Sequence, residues 1–137
     1  MHNLRITLIG CLLLLAGLGA NAATEKYRLV WSTDNTATSM TIAWCQPSGS
    51  APIVCYGTSD LGTNWSLYPN QHAPDRSVDS YKGMNHRFAR LTGLLPNTAY
   101  YFVIKDSEGN SNRYWFKTLP NNPEQQLSVV AGGDSRS

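Results

Sequence analysis

Apolar residues in this chain recur at every second position in short runs, and no segment sustains the 3.6-residue spacing of an amphipathic helix. Tyr27, Leu29 and Trp31 alternate with Arg28 and Ser32, although Val30 blurs the pattern. Met40, Ile42 and Trp44 alternate with Thr41 and Ala43, and Ile53-Val54-Cys55-Tyr56 is a short apolar run between Pro52 and Gly57. Residues 85–91 make a fourth segment, Tyr100, Phe102 and Ile104 mark a fifth, and Tyr114 and Phe116 lie on a sixth. Turn-forming strings separate them: residues 33–36, Pro47-Ser48-Gly49-Ser50 and Asp106-Ser107-Glu108-Gly109-Asn110. Six or seven short strands over about 95 residues predict an all-β fold, an antiparallel β-sandwich.

Residues 58–82 fit this map least. They are polar, contain Pro69 and Pro74, and offer only residues 65–68 and 78–81 as short edge strands. Phe88 also breaks the pattern. If Leu91 and Leu94 face the core, alternation turns Ala89 inward and Phe88 outward, either at a bulge or over a neighbouring surface.

Composition supports β-structure and limits the function. Four Trp, seven Tyr, 11 Gly and 7 Pro suit strands joined by many turns. Charged residues are only 15% of the chain, with 11 Lys+Arg against 9 Asp+Glu, which excludes a nucleic-acid electrostatic footprint. The 137 residues make one ordinary domain and fall short of the 200 or more that most α/β hydrolases or TIM barrels need.

The first 22 residues read as a removable leader. Arg5 supplies the positive n-region, residues 6–20 are apolar, and Ala20-Asn21-Ala22 is a small-x-small cleavage signature. The run is too short and Gly-rich for a membrane-spanning helix, so export to a secreted or periplasmic location without a stable membrane anchor is expected. Cys11 leaves with the leader, and Cys45 and Cys55 remain in a compartment that permits a bridge. Alternation puts both thiols outside the main core, and whether they pair stays open.

The most informative local string is Leu91-Thr92-Gly93-Leu94-Leu95-Pro96-Asn97-Thr98-Ala99-Tyr100. Two Leu anchor a strand end, Gly93 and Pro96 make a turn, and Tyr100 opens the next strand with its hydroxyl free to return to nearby backbone. This string resembles a passage of immunoglobulin- and fibronectin type III-like domains. It stands in an ordered set with Ser39-Met40-Thr41-Ile42-Ala43-Trp44, Val54-Cys55-Tyr56-Gly57-Thr58, Asn85-His86 and Tyr114-Trp115-Phe116-Lys117-Thr118-Leu119-Pro120. The set is similar to the N-terminal domain of purple acid phosphatases and related secreted metallophosphoesterases. Domain boundaries follow: leader 1–22, sandwich 23–118, linker 119–126, and the start of a metallophosphoesterase domain at 127–137.

Beyond the linker, Leu127-Ser128-Val129-Val130-Ala131 is a fresh apolar strand closed by Gly132-Gly133-Asp134. Open α/β sheets place ligands at such carboxyl edges. The resemblance implies that Asp134 is the first metal ligand of the family's G-D-x-x motif, although Ser135-Arg136 stand where the family usually continues with Gly. It further implies an enzyme that hydrolyses phosphate monoesters at a binuclear centre of iron and a second divalent metal, where a metal-bound hydroxide attacks phosphorus. The other metal motifs belong to a C-terminal catalytic domain that this chain lacks, so the 137 residues alone are expected to be inactive.

Other candidates have plainer readings. His72 sits in a polar loop and His86 precedes a strand, so both are expected to be structural or solvated. Arg76, Lys82, Arg87 and Arg90 form a loose basic group, a solvated edge with phosphate steering as the minor alternative. Trp65 and Trp115 either bind a sugar or partner, or pack under a loop or against the next domain. Asn64-Trp65-Ser66 is a glycosylation sequon. The competing function is a stand-alone exported sandwich that binds carbohydrate or protein.

Overall fold

The computed structural model describes residues 21–31, 35–126 and 128, and they form two four-stranded antiparallel sheets. The strands are β1 (Glu25–Val30), β2 (Met40–Cys45), β3 (Ile53–Gly57), β4 (Asn70–His72), β5 (Arg76–Tyr81), β6 (Met84–Leu91), β7 (Ala99–Lys105) and β8 (Tyr114–Lys117). One sheet has the order β1-β2-β6-β5 and the other β4-β3-β7-β8. The first is the A-B-E-D layout of an immunoglobulin-type sheet. The expected leader, the strand expected at residues 127–131 and Asp134 lie outside the described residues, apart from Asn21, Ala22 and Ser128.

Alternation dictates the core. Met40, Ile42 and Trp44 of β2 and Ala89 and Leu91 of β6 meet Val54 of β3, Tyr100, Phe102 and Ile104 of β7, and Phe116 of β8 in one buried cluster. Tyr100 and Phe116 stack with ring centroids 5.6 Å apart. Each fully buried large side chain contributes roughly 1.5–3 kcal/mol. The register from Met40↔Leu91 to Cys45↔His86 is continuous, so Phe88 sits at no bulge. It covers the outer face of its sheet, with Arg76 5.6 Å from its ring centroid and His86 at 6.4 Å.

The turn string behaves as its residues require. Gly93 takes φ +68, a conformation that L side chains rarely adopt, and Tyr100 Oη accepts a 2.9 Å hydrogen bond from Leu95 N–H. That bond is the tyrosine corner. Thr118, just after β8, is fully buried and donates from Oγ1 to Leu95 O at 2.6 Å while accepting from Thr98 N–H at 2.9 Å.

Residues 65–68 do not form the expected edge strand. Trp65–Leu67 is a 3-10 turn, where Ser66 Oγ bonds Asn64 Oδ1 at 2.8 Å. The edge strand is instead the polar β4, held by pairing with β3. The question of a Cys45–Cys55 bridge resolves against it, because both cysteines are free and buried. Trp44 and Val54 point into the core, so Cys45 and Cys55 lie on the outer faces of opposite sheets. Cys55 packs there with Tyr68 and Val103. Two sheets stacked about 10 Å apart keep such thiols beyond bridging distance.

Two outcomes are expected. Tyr100→Phe should lower the free energy of unfolding by about 1–3 kcal/mol in a denaturant titration, with the slope unchanged, because Leu95 N–H loses its acceptor. An unchanged midpoint would contradict the corner. Burial pushes the Cys55 thiol up, with Lys105 pulling the other way. A thiol reagent should therefore leave Cys45 and Cys55 unmodified in the folded protein and label both in denaturant; a native peptide pair linked by a disulfide would refute this.

Candidate interdomain surface

The two sheets are not joined along the flank between β1 and β8, and this is where the chain leaves apolar area uncovered. β1 is an edge strand whose register shifts between Glu25 and Arg28. Leu29 and Trp31 were expected to alternate into the core, yet they are 47% and 50% exposed, and Trp115 on β8 is 56% exposed. Leu29 and Trp31 lie on and just after the marginal strand β1, where no further described strand covers them, whereas Trp115 alternates with the core residue Phe116 and so faces outward. Two grooves run along this flank, of about 540 and 370 Å³, and Leu29 and Trp115 line both. The buried core residues Phe102, in the first, and Met40 and Phe116, in the second, form part of their lining. Arg28, Arg113 and Lys117 also line these grooves, and exposed apolar side chains rimmed by polar ones suit an interaction site.

The flank is rigidly built. Tyr27 packs on Tyr114 with centroids 4.4 Å apart and donates from Oη to Thr24 O at 2.9 Å. Burial pushes its phenol up to about 12. At one end of the flank the chain departs towards the linker: Asn97 N–H donates to Leu119 O at 3.0 Å and Leu119 N–H to Thr36 O at 3.4 Å. Residues 120–123 then line a small cleft with Asn35, Thr36 and Ala37. Trp31, just before that loop, and Lys117, just before that exit, share the second groove.

The other candidates disperse. His72 Nε2 pairs with Asp75 Oδ2 at 2.9 Å on the β4 side. Burial raises the Asp75 carboxyl, but the bond from Arg90 N–H and the His72 side chain outweigh it and hold the group below its usual range. His86 is buried beside Arg28, with 3.4 Å between His86 Nδ1 and Arg28 Nη2. The basic group does not converge: Arg87 pairs with Asp79 at 2.6 Å, Arg76 lies on Phe88, and Lys82 lies over Tyr81. Trp65 packs half-buried under the Lys105 ammonium, 4.4 Å from its ring centroid, so of the two tryptophans only Trp115 presents a free face. Asn64 is exposed, as a sequon requires. Among the described residues no group of three or more His, Cys, Asp or Glu could hold a metal ion, and no helix is long and apolar enough to cross a membrane.

One residue escaped sequence reasoning. Asp106 looked like part of a turn, yet it is only 4% exposed and gathers four N–H donors. The apolar strand immediately before it was the available signal.

Solved structures with this architecture include astrotactin-2, described as a conserved vertebrate-specific and perforin-like membrane protein. It matches at 14% identity and TM-score 0.53 over 72% of this chain and 22% of that one. This chain therefore spans about a fifth of that structure, and the likeness shows the fold alone. The sensor domain of the anti-sigma factor RsgI4 of Pseudobacteroides cellulosolvens matches at 20% identity and TM-score 0.44, over 72% of this chain and 97% of that one. No curated protein matches the chain by sequence. The family model of the purple acid phosphatase N-terminal domain matches residues 24–118, from the residue before β1 to the buried Thr118. The chain belongs to the purple acid phosphatase N-terminal domain family.

Proposed function

We propose that this chain is the non-catalytic front end of an exported enzyme that hydrolyses phosphate monoesters, and that its β1/β8 flank seats the catalytic domain. The family match over residues 24–118, followed directly by the linker and the apolar run to Asp134, carries the reading. In the intact enzyme a binuclear centre of iron and a second divalent metal supplies the hydrolytic chemistry, with Asp134 as one ligand. The sandwich contributes no reacting group. It supports its neighbour: Leu29, Trp31 and Trp115 offer apolar area next to the point where the chain exits, so a domain that follows a linker of about eight residues is within reach. A free-standing exported module has the same fold but leaves this flank uncovered.

The test uses the intact protein. Asp134→Asn should cut phosphomonoester turnover by more than about a hundredfold while leaving the sandwich folded. Unchanged activity would remove Asp134 from the metal centre. Trp31→Ala with Trp115→Ala should leave the sandwich folded but expose residues 119–126 to limited proteolysis; a digestion pattern identical to the parent would rule out the flank as the seat.

A further inference from the structure

Asp106 poses a problem that the sandwich alone does not solve. Its carboxylate is 4% exposed, and every hydrogen-bond donor around it is neutral. Oδ2 accepts from Gln46 Nε2 at 2.7 Å and from Ala23 N–H at 2.9 Å. Oδ1 accepts from Glu108 N–H at 2.8 Å and Gly109 N–H at 3.1 Å. No Lys, Arg or His forms an ion pair with it among the described residues. A buried carboxylate without a cation is costly even when hydrogen-bonded. Two residues on, Glu108 adds a second acidic side chain to the same turn, its carboxylate held by Ser48 Oγ at 3.0 Å.

The missing cation is one peptide bond away. The small-x-small signature ends at Ala22, and the donor on Oδ2 is the nitrogen of Ala23. We infer that Asp106 is the seat of the mature N-terminus: removal of the leader after Ala22 converts the Ala23 N–H into an α-ammonium that pairs with this carboxylate. Hydrolysis balances simply. Water adds its hydroxyl to the Ala22 carbonyl carbon, the C–N bond breaks, and the Ala23 nitrogen takes the proton. The new amine has an ordinary pKa near 8, so it is largely a cation at neutral pH. The cut forfeits the 2.9 Å bond from Thr24 N–H to Ala22 O. In exchange, a neutral donor becomes a charged one on a group that has none, and charge-assisted bonds are roughly twice as strong. Ala23 is itself only partly covered, so the ammonium need not be fully desolvated. Leader removal would thus stabilise the exported sandwich.

This inference rests on the leader reading, and the test separates the two. First, the N-terminus of the exported protein is determined by mass spectrometry; Ala23 is expected, and any other start overturns the proposal through its leader premise. Second, the protein is released from an N-terminal fusion so that it begins either at Ala23 or at Ala22. The Ala23 form should melt about 4–8 °C higher, and the gap should close when both carry Asp106→Asn. Equal melting of the two forms overturns the seat while leaving the leader intact. Should the Asp106→Asn proteins fail to fold, acylation of the α-amine at pH 7 decides. The Ala23 amine should react at least about tenfold more slowly than the Ala22 amine, and equal rates refute the ion pair. None of these outcomes bears on the phosphatase reading, which turns on Asp134.

Discussion

The sandwich is organised around a relay that begins with a buried indole. Trp44 fills the space between the sheets and is fully buried, so its N–H must find an acceptor inside the protein. Gln46 supplies it, with Oε1 2.8 Å from Trp44 Nε1. That choice fixes the amide orientation, and Gln46 Nε2 then donates to Ser48 O and Asp106 Oδ2, both at 2.7 Å. Asp106 in turn collects Ala23, Glu108 and Gly109. One side chain in the core therefore determines how the start of β1, the end of β2 and the turn after β7 come together. Gly49 shows how tight this end is, for a Cβ there would lie 2.8 Å from Asp106 Oδ2, and the residue takes φ +74.

The opposite requirement shapes the flank. A sheet of four strands has two margins, and β1 and β8 leave theirs without a partner. The relay pins the start of β1, and the tyrosine corner and Thr118 pin the chain on either side of β7 and β8. The margins between these fastenings carry Leu29, Trp31 and Trp115, so the apolar surface is held in place rather than free to collapse. A rigid, partly open sandwich beside an exit linker is the geometry of a supporting domain. On the proposed reading it would hold its neighbour and leave the chemistry to it.

Much of this was legible in the chain because a half-buried strand imposes a period of two. Met40-Ile42-Trp44, Tyr100-Phe102-Ile104 and Tyr114-Phe116 all pointed to the core they occupy. Tyr100 could be assigned to the corner because only a Tyr can bury a ring and still satisfy a backbone N–H there. What stayed hidden depends on pairing rather than on pattern. β4, Asn70-Gln71-His72, has no apolar signature and exists because β3 offers it an edge. Trp65 and Tyr68 suggested a strand, but the Ser66–Asn64 contact and the burial of Tyr68 favour a 3-10 turn. Leu29 and Trp31 have the right alternation, yet a marginal position leaves them half exposed. Asp106 follows an apolar strand, but its burial depends on donors from Ala23 and Gln46, far away in the chain, as well as from Glu108 and Gly109.

The central claim is a division of labour, in which the sandwich supports and a separate domain hydrolyses. It is tested most directly by assaying the 137-residue chain for hydrolysis of a phosphate monoester, with iron and zinc supplied. The account predicts no turnover above the rate of the metal ions alone. Metal-dependent turnover that follows the folded chain through purification would contradict it.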